Sequence, residues 1–224
     1  MLQSLIFSSY YIPFYLKLII FFTFLISVIF ALTMHEFAHA FVAFKLGDKT
    51  PKQFGRLTLN PMAHFDTLGL LCFLFLGFGW AKPVPINPFN FKKFKRDTFF
   101  VSIAGIVVNF LLAFIFFPLT ILMSMNDSSS IILLMLRYLF VYCYDINLIF
   151  MVFNLLPIYP LDGFNAIASQ LRYNNPFVNF MHRYGIIVLL CVVFLFSFTN
   201  LFDSLIYYVG YPISKFWYLI FFGF

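Results

Sequence analysis

Five stretches of the chain are apolar without the regular polar interruptions of a water-facing element: roughly 18 to 44, 98 to 124, 131 to 156, 183 to 200 and 203 to 222. A helix crossing a hydrocarbon core of ~30 Å needs about 20 such residues at ~1.5 Å each. The pattern predicts five transmembrane helices. "LGLLCFLFLGFGW", residues 68 to 80, is apolar but too short to cross and is bounded by glycine, which predicts a re-entrant or interfacial hairpin. In "GRLTLN", residues 55 to 60, Leu57 and Leu59 alternate with polar neighbours, the period of a short strand. "AKPVPINPF", residues 81 to 89, is too rich in proline for a helix and reads as a rim around whatever the membrane helices enclose. The expected fold class is an all-α polytopic membrane protein of about five transmembrane helices, with a re-entrant or interfacial hairpin and short β segments. Residues 1–224 read as one integral membrane domain without a repeat.

Composition supports that reading. With 63% hydrophobic and 10% charged residues, the chain cannot assemble a water-soluble globular surface. A net charge of +6 would suit a nucleic-acid partner, but the basic residues gather at the ends of the apolar runs, so none is expected. Lys45, Lys49, Lys52 and Arg56 follow the first run; Lys82, Lys92, Lys93, Lys95 and Arg96 precede the second; "NDSSS" and "TNLFD" on the other side contain no Lys or Arg. The positive-inside rule makes the basic face cytoplasmic, with the N-terminus outside and Arg172, Arg183 and the C-terminus inside. No cleavable signal peptide is expected, because the first 15 residues lack a basic start and a small-residue cleavage site. Cys72, Cys143 and Cys191 are scattered through apolar runs, which excludes a disulfide framework or a cysteine metal cluster.

The candidate chemistry lies in "MHEFAH", residues 34 to 39, inside the first apolar run. His35 comes ten residues before Lys45, on the order of 15 Å into the membrane at helical rise. An ionisable group there costs at least ~2.5 kcal/mol unless it has partners. His35 and His39, at i and i+4, share one helix face and can grip one ion, and Glu36 can reach a water on it, the HExxH pattern of zinc hydrolases. Catalytic zinc normally takes three protein ligands, and Asp162 in "NLLPIYPLDG" lies at a compatible depth. Pro157 and Pro160 break the helix ahead of it; read alone, the segment is a helix-terminating Asp-Gly turn. Asn109 and Asn154 fall on separate membrane helices, where an amide could bind substrate backbone or a developing oxyanion, or simply glue helices together. His64 and Asp66 suit loop hydrogen bonds, and His182 an interfacial position. Arg137 and Asp145 are too far apart for an i, i+4 pair, so each needs another partner. A metal-ion transporter or permease using the buried His/Asp cluster is the competing reading, with a catalytically silent binding partner a third; the clustering of candidate ligands towards one face and the presence of Glu36 favour an enzyme.

"HEFAH" together with Asn154, Pro157, Asp162 and Gly163 of "NLLPIYPLDG" resembles the site-2 protease family of intramembrane zinc metalloproteases. "KLGDKT", "GRLTLNPMAHFDTLG" and "FGWAKPVPINPFNF" are similar to its short bacterial members lacking PDZ and CBS modules. The resemblance implies Zn2+ held by His35, His39 and Asp162, with Glu36 as the catalytic residue. It implies substrates that are membrane proteins, such as anti-sigma factors or signal-peptide remnants, and a multi-pass location in the cytoplasmic membrane with the active site towards the cytoplasm. In "SIAGIVVN" the family usually has proline where Ile106 stands.

Overall fold

A computed structural model describes residues 13–69, 79, 81–125, 130–172 and 174–223, the side chain of Ser197 excepted. Seven α-helices follow in order among the described residues: α1 (Phe14–Lys45), α2 (Thr50–Gln53), α3 (Phe94–Ser124), α4 (Ile131–Asn154), α5 (Asp162–Gln170), α6 (Pro176–Phe198) and α7 (Leu201–Phe222). Short 3-10 turns occupy Pro61–Ala63 and Pro88–Asn90, each opened by an asparagine side chain that accepts from a backbone N–H two residues on. α1, α3, α4 and α6 are long and apolar enough to cross a membrane. The fifth expected span is a helix of 22 residues, α7, which is not among those four. The expected hairpin at 68 to 80 falls almost wholly outside the described residues.

α1, α3 and α4 pack against one another, and α5 packs on α3. Small residues allow the close approach: Ala31 of α1 is fully buried beside Val28 and Ile146, and Ser27 Oγ donates to its own helix at Thr23 O (2.8 Å) while lying 3.4 Å from Leu139 O of α4. Ile106, where the family usually has proline, leaves α3 unbroken and sits in the core with Ala113, Leu148, Met151 and Ile213. Pro118, further along α3, cannot donate to Phe114 O, and the carbonyl it frees accepts instead from Trp217 Nε1 of α7 at 2.9 Å. The loop between α4 and α5 is covered by α6 through Ile158, Leu161 and Leu189.

The expected strand at 55 to 60 does not form. Asn60 N donates to Thr58 Oγ1 and Met62 N to Asn60 Oδ1, both at 3.1 Å, so side chains take the donors that a ladder would use. Among the described residues, β pairing is confined to one isolated antiparallel bridge, Phe65 with Ala81.

Candidate metal centre

His35 and His39 lie one turn apart on α1, both buried. Their Nε2 atoms are 3.1 Å apart. Asp162, first residue of α5, brings its Oδ2 to 3.0 Å from His35 Nε2 and 3.1 Å from His39 Nε2. Four-coordinate zinc with ligand bonds of about 2.0–2.1 Å needs ligand atoms about 3.3 Å apart. The nearly equilateral triangle of these three atoms is of that size. The outer ring nitrogens fix the tautomers: His35 Nδ1 is 2.6 Å from Asn109 Oδ1, and His39 Nδ1 is 2.7 Å from Val101 O. Those oxygens can only accept, so each Nδ1 donates, and in the neutral imidazole it is Nε2 that is left with the lone pair a metal would use. Two imidazole nitrogens and a carboxylate oxygen converging at 3.0–3.1 Å fit zinc in atom type and spacing.

The support behind His35 extends further than the sequence reading reached. Asn109 Nδ2 donates to Asn147 Oδ1 at 2.7 Å, and Asn147 Nδ2 to Cys143 O, also at 2.7 Å. Both asparagines are fully buried. Asn109 is thus engaged at both ends of its amide, and the structure gives it the task of orienting His35. Asn147 is a site residue that the sequence reading does not reach, although an amide inside an apolar helix is itself a signal. Gly105 of α3, next to Ile106, faces the two imidazoles. A Cβ there would stand 2.4 Å from His35 Cε1 and 2.5 Å from His39 Nε2, one of the converging atoms. At Gly163, a Cβ would strike Leu155 O at 2.3 Å, so glycine lets the loop fold back and deliver Asp162.

Glu36, half-buried on α1, accepts from Val84 N at 3.3 Å. The strap 81–91 that supplies this N–H is tied down at both ends. Lys82 N donates to His64 O at 3.0 Å, and buried Arg56 reaches the carbonyls of Ala63 and Lys82. At the far end, Asp48 accepts from Asn87 N (2.8 Å), Asn90 Nδ2 (2.7 Å), Thr50 N (3.0 Å) and Thr50 Oγ1 (2.6 Å). Burial alone would push the Asp48 carboxyl up; the donors from Thr50, Asn87 and Asn90 outweigh it and hold the group below its ordinary range. A depressed carboxyl stabilises the fold above its unfolded pKa and loses that contribution as pH falls through the folded one. Lowering the pH below the usual carboxylate range should therefore loosen the strap, read as faster hydrogen exchange at Asn87. Asp48→Asn should exchange fast at every pH.

The other residues singled out from the sequence are dispersed. Asn154 ends α4 and donates to Phe150 O at 3.0 Å within its own helix. His64 Nε2 bonds Thr58 O at 2.9 Å, and Asp66 Oδ1 accepts from Gly69 N at 2.8 Å, both loop roles. His182 packs edge-on against Tyr159 and Phe164. Arg137 finds its partner at the end of α3, donating from Nη2 to Met123 O at 3.0 Å. Asp145 is half-buried and stands outside the group of His35, His39 and Asp162.

The sequence profile of Peptidase family M50 matches residues 23–196. "Putative zinc metalloprotease YwhC" of Bacillus subtilis is 46% identical over 146 residues, covering 64% of this chain and 67% of that protein. "Putative zinc metalloprotease Rip2" of Mycobacterium tuberculosis is 33% identical over 149 residues, 63% of this chain and 54% of that protein. The chain thus spans about half the length of the mycobacterial relative. No solved structure matches significantly. With the profile covering both the HEFAH helix and the Asp162 loop, the chain belongs to peptidase family M50, the site-2 proteases, a zinc-dependent family of membrane metalloproteases.

Proposed function

We propose that the chain hydrolyses peptide bonds within or next to transmembrane segments of membrane-protein substrates, with zinc on His35, His39 and Asp162 and with Glu36 as general base. The observation that carries this reading is the convergence of three lone-pair donors at 3.0–3.1 Å beside a glutamate on the same helix. Zinc, when bound, supplies the Lewis acidity that makes water nucleophilic near neutral pH and polarises the scissile carbonyl. Glu36 takes the proton of the attacking water and delivers it to the leaving amide nitrogen. Asn109 and the Val101 carbonyl hold the two imidazoles so that neither must turn during turnover. A substrate helix has to unwind locally, because its carbonyls are otherwise bonded within the helix. Single-span proteins such as anti-sigma factors or signal-peptide remnants fit that demand, in a cytoplasmic membrane with the site towards the basic, cytoplasmic face.

Metal analysis of purified protein, combined with cleavage of a panel of membrane-anchored peptides, tests the reading. Zinc near one per chain and cleavage within the membrane segment are expected. Asp162→Ala should lose zinc in detergent whereas Asp145→Ala retains it. Equal, full zinc in both variants would remove Asp162 from the ligand set. Zinc flux into liposomes without any peptide cleaved would favour a permease.

A further inference from the structure

We propose that the backbone N–H of Val84 is a positioning group for Glu36, and that the strap 81–91 exists to deliver that single donor. The inference rests on the peptidase reading given above. Pro83 and Pro85 have no N–H, so Val84 carries the one backbone donor of residues 83–85. Lys82 N is consumed by His64 O and Asn87 N by Asp48. Val84 N, between two prolines, points to Glu36 Oε2. Residues preceding proline are confined to extended backbone, so Pro85 helps to hold Val84 in one conformation. Val84 itself is buried, and its two anchors lie on either side: the Phe65–Ala81 bridge with Arg56 before it, and the Asp48 cluster after it.

The physical need is rotational. A glutamate on a helix has three rotatable bonds, and a general base is effective only when one oxygen stays within reach of the proton it takes. Anchoring Oε2 to a backbone donor fixes the carboxylate plane and leaves the second oxygen to act. The HExxH spacing places Glu36 on the helix but does not choose its rotamer. The strap makes that choice, through main chain rather than side chain, which is why residue type at position 84 does not advertise it.

The test removes the donor and leaves the rest. Val84→Pro deletes the N–H in a stretch already set by prolines; replacing the Val84 amide by an ester, through the α-hydroxy acid analogue, deletes it with almost no change of shape. In zinc-loaded protein each should lower kcat about 10- to 100-fold, the ratio that a hydrogen bond to a charged group is worth, with KM within about twofold and zinc content unchanged. Val84→Ala, which keeps the N–H, should recover most of that loss. In a Glu36→Asp background, whose shorter side chain no longer meets the donor, Val84→Pro should cost less than about twofold further, the non-additivity of groups acting as a unit. The carboxylate stretch of Glu36, identified in the infrared spectrum by its loss in Glu36→Gln, should shift in the ester variant.

An unchanged kcat in the ester variant, or an equal loss in the Glu36→Asp background, overturns the role of Val84. So does an unshifted carboxylate band, which needs no substrate. A wild-type protein that cleaves nothing sinks the peptidase reading instead, while the infrared measurement still decides whether Val84 holds Glu36.

Discussion

Glu36→Gln should fold, retain zinc near one per chain and cleave at least about a hundredfold more slowly than the wild type. Glutamine keeps the length of the side chain and can still accept from Val84 N, so the strap has no reason to move. What it loses is the capacity to take a proton and pass it to the leaving nitrogen. The two histidines and Asp162 are untouched, and each imidazole keeps its outer hydrogen bond, so metal content should separate cleanly from turnover. His35→Ala should lose both together. Near-normal cleavage by Glu36→Gln would leave this chain without a general base at the position the HExxH pattern demands.

Gly105→Ala should show the opposite separation, a folded helix bundle that no longer holds its metal. Within a helix alanine is favoured over glycine by about 1 kcal/mol, so α3 itself gains. The added methyl, however, would stand within 2.4–2.6 Å of both imidazoles, including His39 Nε2. Real contacts of that length do not persist, so His35 and His39 must turn away from Asp162 or α3 must withdraw, and either opens the triangle. Loss of a group that merely orients a ligand already costs about 10- to 100-fold in metal affinity, and intrusion among the ligands should cost at least that. Isothermal titration with zinc, alongside circular dichroism to confirm the helices, measures it; wild-type affinity would mean that α3 yields at this contact.

What the sequence disclosed and what it withheld divide along a physical line. His35, Glu36 and His39 are legible because helical periodicity is local, and i, i+4 places two side chains on one face wherever the helix goes. Asp162 was within reach because its depth could be counted from the ends of two apolar runs. The partners of the outer nitrogens were not. Val101 contributes only a carbonyl, which every residue has, and the choice between substrate contact and structural bond at Asn109 depends on which helix faces α1. The same blindness affects Gly105, whose value is the absence of a side chain opposite a neighbour 66 to 70 positions earlier in the chain. The strand expected at 55 to 60 does not form for a local reason: alternation is present, but Thr58 and Asn60 carry oxygens that compete for the backbone donors. Which group takes up the carbonyl that Pro118 frees is likewise decided by the fold, through Trp217.

The length of α1 sets a ruler against the bilayer. Lys17 and Lys45 lie 28 positions apart on a helix that begins at Phe14 and ends at Lys45, or ~42 Å at helical rise, close to the ~40–45 Å of a bilayer including its headgroups. Along the helix axis His35 lies ~15 Å and His39 ~9 Å from Lys45, so the histidines stand at a set depth below the basic end of α1. Under the proposed function, a membrane-segment substrate would be gauged by depth as much as by side chains. The bond cut would then come from within about ten residues of the basic-side border of the substrate's own membrane segment, and a segment drawn deeper or shallower by its flanking charges would present a different bond to the same site.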